Sequence, residues 1–73
     1  MKSIKEKCFE FLDKNFDIDI ECDFVSKENK YLELSWDYIF NELAYFYLEE
    51  MGDFGEGQIG QFLDSWTESK LEE

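Results

Sequence analysis

Histidine and arginine are both absent from this chain, and its 73 residues hold only two cysteines, Cys8 and Cys22. Each shortage removes a class of chemistry. Without histidine, the side chain that most often moves protons near neutral pH is missing, and nothing in the sequence gathers a particular pair of carboxylates into a pocket to replace it. Two cysteines without histidine are too few for a structural zinc site. Both cysteines fall on apolar faces, so they are expected as reduced core thiols rather than as nucleophiles or a disulfide. No cofactor is implied, and the chain is expected to bind rather than to catalyse. Long apolar runs are lacking too. No stretch approaches a membrane span, and residues 1–7 are charged and unlike a signal peptide, so the expected location is cytoplasmic.

Positive charge is scarce. Seven lysines stand against nineteen acids, a net charge of -12. Nucleic acid and anionic membranes both need Lys or Arg to neutralise phosphates, so neither is an expected direct ligand. The expected partner is a basic protein, itself of the nucleic-acid-binding kind.

What the chain has in abundance is aromatic residues: eight Phe, four Tyr and two Trp. Large rings remove much apolar area from water, which argues for one folded domain despite a charge that alone would suggest disorder. A chain of this length buries only roughly 60% of its unfolded surface, so the core is thin. Trp36 and Trp66, both at apolar positions, are expected within it.

Ser3 and Glu6 have the spacing of a capping box, and Ile4, Cys8, Phe11 and Leu12 recur on one face, which predicts a first helix from Ile4 to Lys14 or Asn15. From residue 16 to 24 the period changes to two: Phe16, Ile18, Ile20, Cys22 and Phe24 alternate with Asp17, Asp19, Glu21 and Asp23. The pattern predicts one strand with a buried face and a wholly acidic face, its carboxylates about 6.6 Å apart. Residues 26–30 read as a turn, and residues 31–36 as a second strand making a hairpin with the first. Asp37 is the expected N-cap of a second helix ending at Gly52. Its broad apolar arc, Ile39 to Met51, is expected to pack on two sides, against the sheet and against another helix or a second subunit; a homodimer through this helix is one arrangement left open. The glycines within residues 52–60 predict a loop, and Ile59, Phe62, Leu63 and Trp66 a last helix that frays from Ser69. The fold class is therefore α+β, an antiparallel hairpin packed against three short helices in the order α-β-β-α-α.

The charge is unevenly divided. Residues 1–30 carry six lysines and eight acids, residues 31–73 one lysine and eleven acids. On the second helix Tyr38, Glu42, Tyr45 and Glu49 form a stripe opposite the apolar arc, with no lysine three or four residues from either glutamate. Glu49 and Asp53 repel each other near a helix C-terminus, where anions are disfavoured. Choices that repeatedly break local rules in one direction mark function more often than folding. Asp17-x-Asp19-x-Glu21-x-Asp23 resembles a calcium loop in spacing, but Cys22 stands where an EF-hand needs glycine. The glycines are not followed by lysine as in a phosphate loop.

The segment Leu43-Ala44-Tyr45-Phe46-Tyr47-Leu48-Glu49-Glu50-Met51-Gly52-Asp53-Phe54-Gly55-Glu56, with its continuation Gln61-Phe62-Leu63-Asp64-Ser65-Trp66, resembles the helix-and-loop segment of the ArdA antirestriction family. The likeness covers roughly the last third of the chain. It implies an acidic DNA mimic that occludes restriction-modification enzymes, with Glu49, Glu50, Asp53, Glu56 and Asp64 as phosphate surrogates. Small phage inhibitors of CRISPR nucleases share the same size and acidity. Together these readings lead to an expected DNA-mimic inhibitor whose partner-binding residues are Asp17, Asp19, Glu21, Asp23, Glu33, Asp37, Tyr38, Glu42, Tyr45, Glu49, Glu50, Asp53, Glu56 and Asp64. The alternative is an acidic immunity protein, antitoxin or adaptor that caps a basic partner.

Overall fold

A computed structural model describes residues 2–21, 23–29, 32–53 and 55–72, with the backbone alone for Glu56. Three expectations therefore lie outside the described residues: the burial of Cys22, the start of the second strand at Tyr31, and the exposure of the Glu56 side chain. The chain forms helix α1 (Ile4–Asn15), strands β1 (Phe16–Ile18), β2 (Phe24–Ser26) and β3 (Glu33–Leu34), and helices α2 (Trp36–Met51) and α3 (Glu56–Leu71). The class is α+β, an antiparallel sheet packed with three helices, in the expected order of helix, strands and two helices.

Helix α1 begins where its cap predicts: the Ser3 hydroxyl accepts the Glu6 N–H at 3.2 Å. It runs straight into β1, because Phe16 donates its N–H to the Leu12 carbonyl while its own backbone turns extended. The single long strand expected over residues 16–24 does not form. β1 is its first three residues, and β2, which begins at its last residue and runs on to Ser26, folds back on β1 with Phe16 opposite Ser26 and Ile18 opposite Phe24. Asp19 is the cause. Its N–H donates to the Asp23 carbonyl at 2.9 Å, and its carboxylate accepts the N–H groups of Glu21 at 3.0 Å and Asp23 at 2.9 Å. Such local bonds compete with a sheet ladder, and alternation of apolar residues does not reveal them. Ile20, placed by the alternation on the buried face, stands at this turn 98% exposed.

The next turn is capped by Ser26, whose hydroxyl accepts from Glu28 and Asn29. β3 then pairs with β2, Val25 opposite Glu33, to complete the order β1-β2-β3. α2 starts before Asp37: Ser35 is the N-cap and accepts the Tyr38 N–H at 3.1 Å. Asp37 sits instead in the first turn, where its charge still suits the helix dipole. Gly52 closes α2 as expected, at φ 81°, a conformation that favours glycine.

The loop expected through residue 60 ends at Gly55, and Gly57 and Gly60 belong to α3. Packing against Tyr47 sets this corner. A β-carbon on Gly55 would lie 2.7 Å from the Tyr47 ring, and the Tyr47 hydroxyl donates to Gln58 Oε1 at 2.5 Å. The far end of α3 does not fray at Ser69, because Lys70 reaches Asp13 on α1 at 3.0 Å.

The core comprises Cys8 and Leu12 of α1, Phe16 of β1, Ile39, Leu43, Ala44 and Tyr47 of α2, and Ile59, Leu63 and Trp66 of α3. The three helices contact one another, and β1 packs on α1 and α3. The two apolar sides of α2 are thus filled by α1 and α3 rather than by the sheet. Phe11 and Phe46 stack at 4.7 Å between α1 and α2. Trp66 is buried as expected, its indole N–H donating to Asp13 at 2.9 Å. Trp36 is not: at the first position of α2 it lies past the core, 39% exposed and stacked on Phe40 at 5.1 Å. Cys8 is a free, fully buried thiol, pushed up to about 11 by burial and secondarily by the Glu50 charge.

Candidate partner-binding surface

An α-helix turns 100° per residue, so Tyr38, Glu42, Tyr45 and Glu49 rise along one face of α2, opposite Ile39, Leu43 and Tyr47. The stripe spans about 16 Å. Tyr45 is 62% exposed and Tyr38 47%; Glu49 is exposed and Glu42 half-buried. The Glu42 carboxylate, by its charge and by hydrogen bonding to the phenol, pushes the Tyr38 hydroxyl above its ordinary value.

α3 repeats the arrangement. With Ile59, Leu63 and Trp66 buried on one side, Asp64, Glu68 and Glu72 stand exposed on the other at four-residue intervals, about 6 Å of rise apart. Glu68 and Glu72 were not among the expected contact residues. Their signal was the i, i+4, i+8 spacing from Asp64, masked in the sequence by Lys70, which points inward to Asp13 and lies 6.0 Å from the centre of the Trp66 ring.

The described lysines gather elsewhere. Lys2 pairs with Glu10, Lys7 with Glu50 at 3.4 Å, and Lys70 with Asp13. Lys5 lies over the Phe9 ring at 5.6 Å. Lys14 is in the last turn of α1, and the Lys27 N–H bonds the Asn15 carbonyl that ends it. All six are on or against α1, and the outward faces of α2 and α3 carry none. Asp13 collects several of these contacts. Burial opposes its ionisation, but hydrogen bonds from Trp66 and Lys70 and the charges of Lys70 and Lys27 hold its carboxyl below the ordinary value.

The expected contact residues therefore separate into groups. Tyr38, Glu42, Tyr45 and Glu49 come together as a stripe, and Asp64 joins Glu68 and Glu72 in a second. Glu33 is exposed in β3, and Asp37 and Asp53 are exposed at the two ends of α2. Glu50, expected as a phosphate surrogate, faces α1 and is ion-paired to Lys7, apart from both stripes. The strand array of Asp17, Asp19, Glu21 and Asp23 is not formed: Asp17 is half-buried within β1 and its carboxylate accepts the Ile18 N–H at 2.8 Å, Asp19 holds the turn, and Glu21 and Asp23 are exposed around it.

Two depressions flank Phe11. One of about 480 Å³ lies between α1 and α2, where Lys2, Lys7, Glu10 and Glu50 compensate each other around Phe46. The other, of about 290 Å³, opens at the end of α1 towards Tyr38 and Glu42. Among the described residues no group of three or more His, Cys, Asp or Glu is arranged to hold a metal ion, and no helix is long and apolar enough to cross a membrane. Comparison with known protein families, curated proteins and solved structures finds no match to this chain.

Proposed function

We propose that this chain is a DNA-mimic inhibitor that occupies the nucleic-acid-binding surface of a basic defence enzyme, a restriction-modification enzyme or a CRISPR effector. The observation that carries the reading is the segregation of charge. Every described lysine serves α1, while Glu42, Glu49, Asp64, Glu68 and Glu72 line the outward faces of two helices with no lysine among them. Along the 34 Å long axis a net charge of -12 amounts to roughly one charge per 3 Å, against about 1.7 Å per charge in duplex DNA. A protein that neutralises phosphates with Lys and Arg gains from these carboxylates in the same way. Tyr38 and Tyr45 add rigid contact area between them at little entropic cost. The resemblance of the α2–α3 segment to the ArdA family supports the same assignment.

The test is binding to a purified type I restriction-modification enzyme and to a CRISPR effector nuclease, with and without a DNA competitor, over a range of salt. The chain and DNA are expected to exclude one another, with affinity falling steeply as salt rises. A ternary complex with both bound would refute occupancy of the DNA site.

One observation favours a second reading, an acidic cap for a basic toxin or regulator. Trp36 and Leu32 are exposed near the start of α2, beside Glu33 and Asp37, and would serve as an apolar anchor within a compact acidic patch. Under that reading Trp36→Ala abolishes binding while reversals on α3 leave it intact.

A further inference from the structure

We infer that the depression at the C-terminal end of α1 is a socket for an arginine side chain of the basic partner. The inference rests on the reading that the partner is basic, and it names where and by which chemistry one of its side chains is held.

The depression is walled by three aromatic rings from three elements: Phe11 of α1, Phe16 of β1 and Tyr38 of α2. Phe11 and Phe16 meet edge to face, with ring centres 6.1 Å apart. Two carboxylates line the same space, Glu28 from the β2–β3 turn and Glu42 from α2. Ser26 also lines it and fixes the Glu28 backbone by accepting its N–H at 3.2 Å. Asn15 ends α1 at this place, its carbonyl accepting the Lys27 N–H at 3.0 Å and its side-chain amide donating to the Phe11 carbonyl at 2.9 Å. Rings and carboxylates each attract a cation. A volume of about 290 Å³ is at the small end for ligand sites and suits one side chain rather than a larger molecule. Guanidinium fits this lining better than ammonium, since it is planar, stacks on rings and forks between carboxylate oxygens.

Lys14 is the one cation among the described lining residues, and no described carboxylate lies within ion-pair distance of it. Its charge competes with an incoming arginine from the rim. On the α2 side, the charge of Glu42 and its hydrogen bond hold the Tyr38 hydroxyl above its ordinary value. The neighbouring groove between α1 and α2 makes the contrast: its carboxylates, Glu10 and Glu50, are already paired to Lys2 and Lys7.

The experiment uses the isolated, full chain and follows backbone and aromatic NMR signals during titration with Nα-acetyl-arginine amide, with Nα-acetyl-lysine amide as the control at matched ionic strength. Saturable shifts are expected at Phe16, Glu28, Tyr38 and Glu42, with arginine bound several-fold more tightly than lysine. Glu42→Gln is expected to weaken arginine binding by roughly five-fold or more, as loss of one charged partner implies. Lys14→Gln, at an exposed position, is expected to tighten it about two- to five-fold by removing the competing charge. Non-saturating shifts spread over all acidic residues, or equal responses to the two amides, would overturn the socket. Because no partner enzyme is present, those results leave the DNA-competition test to decide the wider function separately.

Discussion

The helix α1 and the outward faces of α2 and α3 treat the same residue types in opposite ways. On α1 and the elements packed against it, acids are tied down: Glu10 to Lys2, Glu50 to Lys7, Asp13 to Trp66 and Lys70. Along the outer α2 and α3 stripes, acids stand at helical intervals, and among the described residues none of them is ion-paired to a lysine. The lesson is that acidity here does two jobs. Where a carboxylate organises the fold it has a partner within the chain; under the proposed function, the carboxylates of the α2 and α3 stripes meet theirs on the bound enzyme.

The largest effect expected of a single change compares the two tryptophans. Trp66→Ala removes a fully buried ring and leaves Asp13 without its indole donor, and should cost about 3–5 kcal/mol in urea unfolding. Trp36→Ala, at the exposed end of α2, should cost less than about 1 kcal/mol. Equal losses would mean that the core is misplaced.

Next in size is the hairpin turn. Asp19→Ala removes the acceptor of two N–H groups and should destabilise the domain by about 1–2 kcal/mol. Glu21→Ala, on the same turn but exposed, should stay within about 0.5 kcal/mol of the parent.

That turn also marks where sequence and structure part. Helix α1, the Gly52 cap and the α+β class follow from capping residues and periodicity, which act locally. The acidic strand does not form, because a period of two is shared by one long strand and by two short ones hinged at Asp19. Asp37 reads as a cap on sequence, yet the Ser35 hydroxyl takes the Tyr38 N–H and starts the helix before it. Gly57 and Gly60 looked like loop residues, yet tertiary contact of Tyr47 with the Gly55–Gln58 corner carries the helix through them. Within the candidate surface the α2 stripe was legible at once. The α3 stripe was obscured by Lys70, whose inward direction is a tertiary fact.

A smaller effect concerns pH. The Asp13 carboxyl is lowered in the folded state, so its contribution to stability is present above the unfolded value of about 3.9 and is lost as pH falls through the lower, folded value. Asp13→Asn should therefore flatten the acid limb of the stability–pH curve, followed by urea midpoints between pH 2 and 6. An unchanged acid limb would remove Asp13 from its structural role.

The smallest effect reads the outer face directly. Glu42→Gln should bring the Tyr38 hydroxyl back down towards the ordinary tyrosine value, followed by phenolate absorbance. Glu10→Gln, on α1, should leave that titration unmoved.

The most direct measurement of the whole account compares two triple charge reversals of identical net charge. One is Glu49→Lys, Asp64→Lys and Glu68→Lys on the outer faces; the other is Glu6→Lys, Glu21→Lys and Asp23→Lys on α1 and the hairpin. Association with the purified restriction-modification or CRISPR enzyme should slow at least roughly tenfold for the first set and far less for the second, with both proteins folded. Equal slowing by both sets would show that only total charge matters, and would contradict a dedicated binding surface on α2 and α3.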